Sequence, residues 1–295
     1  MVDFDSLYVL LCIEENAENM ENSEKDTLRY HPETPIKIIG SETELRRFFD
    51  EVVPPLKKSE LFFASLSARD KYLTDEEREF YKLGRTEMFE RRLILERDWR
   101  LFSTTIKKYE CVEGAYTCDN GAIIPSKCVM VYWNINPSNA VDAYFEFNEN
   151  MAKSMRAYIK SSKADTLPFT NSNRLLMNQM QKNRGTKHHI DIDVDFVSRK
   201  VKNSEVGQQV LNRMTAEFKS HGVKFFVVDT HGGYHFLLKK ETIKYDYTKF
   251  VEALHETKSE GVIKECKVNE NEMVCLPGTF QGDHLVHIMY EISNL

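Results

Sequence analysis

The chain has no run of apolar residues near the roughly 20 that a membrane-spanning helix needs, so no membrane span is expected. The opening residues Met1-Val2-Asp3-Phe4-Asp5 lack a positively charged segment, and a secretory signal is not expected either. The six cysteines, at 12, 111, 118, 128, 266 and 275, contain no short Cys-x2–4-Cys pair of the kind common in structural zinc sites. Scattered this way along 295 residues, they read as reduced thiols of an intracellular protein, cytoplasmic or nuclear (nucleoid). No Walker A sequence is present, which excludes a helicase module within the chain. There is no internal repeat and no long basic run. The net charge of −6 is concentrated at one end: residues 1–27 hold eight acids and one lysine, so the remainder is close to neutral. Any surface for a polyanion must therefore be a local patch. Two patches qualify: Lys182, Arg184 and Lys187, and the group Arg85, Arg91, Arg92, Arg97 and Arg100.

What is present is a mixed α+β pattern with ample core material, 41% apolar residues and 18 phenylalanines. Residues 1–40 read as an acidic variable lead, least apolar over 14–34. Residues 41–186 read as an N-terminal α/β subdomain. Ser41-Glu42-Thr43-Glu44 is a capping-box pattern that opens a helix ending near Pro54-Pro55. Leu61 to Leu66 has the look of a buried strand. Thr74-Asp75-Glu76-Glu77 is a second capping box, predicting a helix to about Leu95. Asp119-Asn120-Gly121 signals a turn, Cys128 to Trp133 a strand, and 139–158 and 172–183 helices. The aromatics between Phe48 and Phe102 read as core. In 187–295 the pattern becomes regular: a strand over 189–196, a helix over 203–220, strands over 223–228 and 234–238, a helix over 246–258, then strands near 272–276 and 284–290. This β-α-β-β-α-β order predicts a split-βαβ, RRM-like half.

The chemistry concentrates in His189-Ile190-Asp191-Ile192-Asp193-Val194-Asp195-Phe196. Apolar and acidic residues alternate with a period of two, so on a strand Ile190, Ile192 and Val194 face a core and the three aspartates share the other face. Alternate residues on a strand lie about 6.6 Å apart, close enough for two carboxylates to converge on a hard cation between them. A second constellation, Asp229-Thr230-His231-Gly232-Gly233-Tyr234-His235-Phe236, sits between two apolar strands. Its glycines suit a tight turn with close approach by a ligand, whose phosphate oxygens the turn's N–H groups can receive. The strands at 189–196 and 223–229, joined by one helix, are expected to be parallel neighbours. His188 and His189 are read as hydrogen-bonded residues beside a core strand. His284 and His287 lack the helical spacing of a metalloprotease pair.

These motifs resemble those of the archaeo-eukaryotic primase superfamily, the catalytic module of primase small subunits and primase-polymerases. Asp191-Ile192-Asp193 is similar to the family's first motif. The segment Asp229–His235 is similar to its second, with His235 at the histidine and Asp229 or Thr230 near the usual serine. The likeness covers about residues 60–295, with Trp133-Asn134-Ile135-Asn136-Pro137 fitting an upstream strand-to-helix turn. The resemblance implies a primase-polymerase-like fold and template-dependent nucleotidyl transfer from NTPs or dNTPs on single-stranded DNA; the alternatives are a non-catalytic nucleic-acid-binding subunit of the same fold and a metal-dependent nuclease that uses the same acids with water as nucleophile. It implies Mg²⁺ or Mn²⁺ at Asp191 and Asp193, and a triphosphate positioned by Thr230, His231, Gly232, Gly233 and His235 with Lys187. A separate helicase or replication protein is an expected partner. Leu276-Pro277-Gly278-Thr279 looks like the segment that follows the family's third motif. Where that motif carries an acid this chain has Val268-Asn269, and the arginine often found before Pro-Gly-Thr is absent. The third ligand is therefore Asn269, or else Glu265, Glu270, Glu272 or Asp195.

Overall fold

The computed structural model describes residues 36–111, 115–118, 120–160, 172–256, 261–269 and 273–291. The acidic stretch 14–34, Asp119, Glu270 and Glu272 lie outside the described residues. All described residues belong to one unit, Pro35–Leu295. The fold is α+β, built on two antiparallel five-stranded sheets with eight α-helices among the described residues.

The first sheet contains β1 (Glu60–Ala68), β2 (Glu87–Ile94), β3 (Val129–Asn134) and β9 (Met273–Cys275), in the order β2-β1-β3-β9. The two-residue β4 (Ser138–Asn139) pairs with the start of β1. Helices α1 (Glu42–Glu51) and α3 (Trp99–Lys107) contribute to the same core. Each presents side chains at helical spacing: Leu45, Phe48 and Phe49 from α1, Phe102, Thr105 and Ile106 from α3. Ser41 and Asp98 cap these helices by accepting from the Glu44 and Leu101 N–H groups. At Ser41 the box is not reciprocated, because Glu44 accepts from the Ile288 N–H instead. Trp133 is fully buried, with the rings of Phe62 and Phe102 each 5.0 Å from its own and that of Phe48 at 6.4 Å. The aromatics between 48 and 102 that are buried here are thus core residues, as expected. Ile36 and Ile38 join this core, although they fall within the stretch 1–40 read as a lead.

The helix expected from Thr74 to Leu95 is much shorter. The capping box forms, but α2 (Asp75–Tyr81) stops where Lys82 takes a left-handed conformation, φ +51°. Residues 87–94 instead form β2, paired antiparallel with β1. Its glutamates and arginines gave it a helical look; on an outer strand they serve to protect the edge from further pairing.

The second sheet holds β5 (His189–Phe196), β6 (Phe225–Asp229), β7 (Gly233–Lys239), β8 (Ile263–Val268) and β12 (His287–Glu291), in the order β12-β6-β7-β5-β8. The short α6 (Arg199–Lys202) and then α7 (Glu205–Ser220) connect β5 to β6, and α8 (Thr248–Glu256) connects β7 to β8. Helices α4 (Ala140–Lys160) and α5 (Ser172–Lys182) precede this half. One face of the sheet, with Ile192, Val194, Phe225, Val227, Phe236 and Leu238, shares a core with Leu211, Met214 and Phe218 of α7 and with Val251 and Leu254 of α8. The other face sends Phe226, Val228 and Leu237 into the core of the first sheet. A small hairpin of β10 (Phe280–Gln281) and β11 (His284–Leu285) lies between β9 and β12 in the chain.

Two expectations need correction. Strands β5 and β6 run in the same direction but are not neighbours: β7 folds back from β6 and inserts between them, antiparallel to both. The α7 crossover therefore spans one strand position. The final strand of the β-α-β-β-α-β order is also not 272–276. That place beside β5 belongs to β8, while β9 crosses to the first sheet and pairs with β3. In β8 only Ile263 and Cys266 are buried, so Ile-Lys-Glu-Cys-Lys-Val carries little strand alternation.

The described cysteines, Cys111, Cys118, Cys128, Cys266 and Cys275, are thiols and form no disulfide. Among the described residues no helix is long and apolar enough to cross a membrane.

Candidate functional site

The alternation read in β5 is what orients the site. Ile192 and Val194 are fully buried on the helix-covered side, and Asp191, Asp193 and Asp195 take the side facing the first sheet. Asn136 fixes the entry to this strand: its Oδ1 accepts from the His188 and His189 N–H groups at 2.7 and 2.8 Å, and its Nδ2 donates to the His189 carbonyl at 2.9 Å. His189 itself is buried, and burial pushes its imidazole down to about 4, so it is neutral.

Register does the rest. On β7, His235 lies directly opposite Asp193 and Gly233 opposite Asp195. On β8, Lys267 lies opposite Asp193 and Glu265 opposite Asp195. Just past β8, the Asn269 N–H bonds the Asp191 carbonyl. His235 thus stands between two carboxylates. Its Nδ1 lies 3.1 and 3.0 Å from the two oxygens of Asp191, and its Nε2 lies 3.7 Å from Asp193 Oδ1. Burial alone would lower the His235 pKa; the Asp191 carboxylate, helped by Asp193, outweighs it and holds the imidazole up at about 10. Burial raises Asp193 to about 6, with the charge of His235 opposing. Asp191, only 1% exposed, also accepts from Asn269 Nδ2 at 2.9 Å. The Asn269 amide therefore turns a donor, not its oxygen, toward the carboxylate face.

The Gly-Gly turn closes the outer end. The Thr230 N–H and hydroxyl both donate to the Gly233 carbonyl at 3.0 Å, and the His231 N–H donates to Gln281 Oε1 at 2.7 Å. These groups are engaged within the protein. The glycines answer to close approach: a Cβ on Gly233 would lie 1.9 Å from the Val194 carbonyl oxygen, and one on Gly232 would meet Asp195 Oδ1 at 3.3 Å. Gly233→Ala should therefore push β7 off β5 and destabilise the protein by several kcal/mol, about 3 or more by analogy with overpacked cores and broken ladders. Urea unfolding followed by circular dichroism measures this, and a stability within about 0.5 kcal/mol of wild type would contradict the close approach.

Lys71 and Tyr72, which the sequence reading did not single out, border Asp195, and Arg69 lies beside Tyr72. Arg69 and Lys71 follow β1, and Lys71 Nζ approaches Asp195 across Gly232. Arg69 donates to the Tyr132 hydroxyl at 3.1 Å, and Tyr72 meets the His231 ring edge-on at 5.1 Å. Only the fold joins residues 69–72 to 191–235, so spacing along the chain held no signal for them. Lys187, expected at the triphosphate, precedes the end of β5 where His189 pairs with Lys239, whereas the Gly turn lies opposite Asp195 at the other end of the strand. His231 carries an imidazole pushed down to about 4 by burial and by Arg199, and its Nε2 lies 3.3 Å from Asp283.

Searches against known protein families, curated proteins and solved structures give no match. What the site can do rests on its own groups. Asp191, Asp193, Asp195 and Glu265 offer only oxygen donors, the donor type that hard divalent cations such as Mg²⁺ and Mn²⁺ take. His235 bridges Asp191 and Asp193 as their internal counter-charge, so the accessible oxygens belong to Asp193 and Asp195. On the other side of β6 lies a different donor set. Among the described residues, the group of histidine and carboxylate ligands whose atoms all lie within 4.8 Å of one another is Asp229, His284 and His287. Those two histidines, dismissed for lack of helical spacing, lie on strands and converge through the fold.

Proposed function

We propose that the chain is a template-dependent nucleotidyltransferase of the primase or primase-polymerase kind, acting on NTPs or dNTPs along single-stranded DNA. One observation carries this reading: Asp191, Asp193 and His235 are cross-strand neighbours on one face of β5 and β7, with Lys71 near Asp195 at the Gly turn. The order β6-β7-β5-β8, with α7 and α8 on one face, supports a split-βαβ, RRM-like half. The oxygen donors fit Mg²⁺ or Mn²⁺, held by Asp193 and Asp195 with Asp191 behind them. Such an ion supplies charge neutralisation at a phosphoryl centre. The protein's own share is positional. Asp191 and Asn269 hold His235 as the counter-charge between the two carboxylates, Lys71 provides a cationic group for phosphate oxygens, and the Gly turn keeps the surface free of side chains.

A second reading, a nucleic-acid-binding subunit without catalysis, draws on Asn269, whose amide takes the place of an acid and bonds Asp191. Incorporation of labelled nucleotides on a single-stranded template, with Mg²⁺ or Mn²⁺, separates the two. Incorporation above a no-enzyme control supports the first reading, and template binding without incorporation supports the second. The same residue gives a graded prediction. Asn269→Asp sets a carboxylate against buried Asp191, so the melting temperature without metal should fall. Added Mg²⁺ should restore it and raise incorporation relative to wild type. Melting and incorporation titrated against both ions check this; equal Mg²⁺ response in wild type and variant would mean that position 269 does not face the ion.

A further inference from the structure

The Asp229, His284 and His287 cluster gathers at the end of β6, and the metal and phosphate roles proposed above use none of its three side chains. It is assembled by pairing: β12 runs antiparallel to β6, and His287 stands directly opposite Asp229. His284 reaches in from the β10–β11 hairpin. Asp229 Oδ2 lies 3.2 Å from His284 Nε2 and 3.8 Å from His287 Nδ1. Ligand atoms bound at about 2.0–2.2 Å around a tetrahedral metal stand about 3.3–3.6 Å apart, and the two separations bracket that value. The second oxygen, Oδ1, is held by the buried Lys202 ammonium, which also donates to the Thr230 carbonyl. This leaves Oδ2 turned toward the histidines. The remaining polar neighbours are the Asp229 carbonyl, 3.3 Å from His284 Nε2, and the Leu285 carbonyl, 3.2 Å from His287 Nδ1. The His231 ring lies 6.4 Å from that of His284. The His287 side chain is 41% exposed, which gives the cluster an opening to solvent.

We propose that Asp229, His284 and His287 form a site for a borderline divalent metal ion, Zn²⁺ foremost. Two imidazoles and one carboxylate suit Zn²⁺ far better than Mg²⁺, whose ligands are oxygens. The ion would replace the hydrogen bonds now linking these side chains and would tie β11 and β12 to the end of β6, where the Gly turn begins. The test uses the chelator-stripped full chain titrated with Zn²⁺ by calorimetry and with Co²⁺ by visible absorption. We expect one Zn²⁺ per chain and a tetrahedral Co²⁺ spectrum. His287→Ala, at a half-exposed position that leaves the core intact, and His284→Ala should each weaken Zn²⁺ binding by at least about tenfold. Asp193→Asn should leave it unchanged, which separates this site from the carboxylate face. Wild-type binding no tighter than that of His287→Ala, or a loss seen with Asp193→Asn and not with His287→Ala, would overturn the assignment. Neither result bears on nucleotide incorporation, so this proposal can fail without the other.

Discussion

Replacing His235 with alanine destabilises the folded protein by about 3–5 kcal/mol near neutral pH, the cost of leaving one member of a buried ion pair without its partner. Asp191 is 1% exposed, and its two oxygens have His235 and Asn269 as hydrogen-bond partners. The amide of Asn269 carries no charge, so removal of the imidazole strips Asp191 of its cation. The double variant Asp191→Asn/His235→Ala should recover much of the loss, since no buried charge is left unpaired. Equilibrium urea unfolding of the four proteins in this cycle measures the coupling; a coupling near zero means the contact is incidental. The same pair sets a pH dependence. The folded-state pKa of His235, about 10, lies above the ordinary imidazole value of about 6.5. Its contribution is therefore complete below about pH 6.5 and is lost as pH rises toward 10, with a slope approaching about 1.4 kcal/mol per pH unit. Melting temperatures recorded from pH 6 to 10 should fall in wild type and flatten in the double variant.

Asp193→Asn is expected to lower nucleotide incorporation at least a hundredfold, about 2.7 kcal/mol or more of barrier, while the fold stays intact. Its carboxylate stands one pleat from Asp191 and Asp195 and is partly open to solvent, with 19% of the side chain exposed. Burial among like charges already opposes its ionisation, so an amide there relieves repulsion. The melting temperature without metal should hold or rise. Asp191→Asn should also lose incorporation, but with a lower melting temperature, because it removes the counter-charge of His235. Near-wild-type incorporation by Asp193→Asn would sink the catalytic reading of this face.

The difference between the two aspartates illustrates what a sequence can and cannot specify. Strict alternation over 189–196 was enough to put Asp191, Asp193 and Asp195 on one strand face, because side-chain direction on a strand depends only on parity. Other local patterns, continuous apolar runs and capping residues, identified the buried strands near 61–66 and 129–133 and the capped starts at Ser41 and Thr74. Local rules also located the Gly-Gly turn, although its glycines answer to the Val194 carbonyl and the Asp195 carboxylate, not to backbone dihedrals.

Partnership between distant residues was decided by tertiary structure alone. Which strand lies beside β5 depends on whether the α7 crossover spans no strand or one, and parity holds no information on that choice. The insertion of β7 brought His235 against Asp191 and turned a ligand candidate into an internal counter-charge. Glu87–Ile94 became a strand because β1 offered an open edge. Lys71 reached the carboxylates, and His284 and His287 reached Asp229, through pairings between segments 50 or more residues apart. The sequence by itself determined where the carboxylates, glycines and capping residues fall and which way strand side chains point, since these follow from neighbours a few residues away. The tertiary structure decided which charges meet, because electrostatic contact depends on distances of a few ångströms that only strand order and register set.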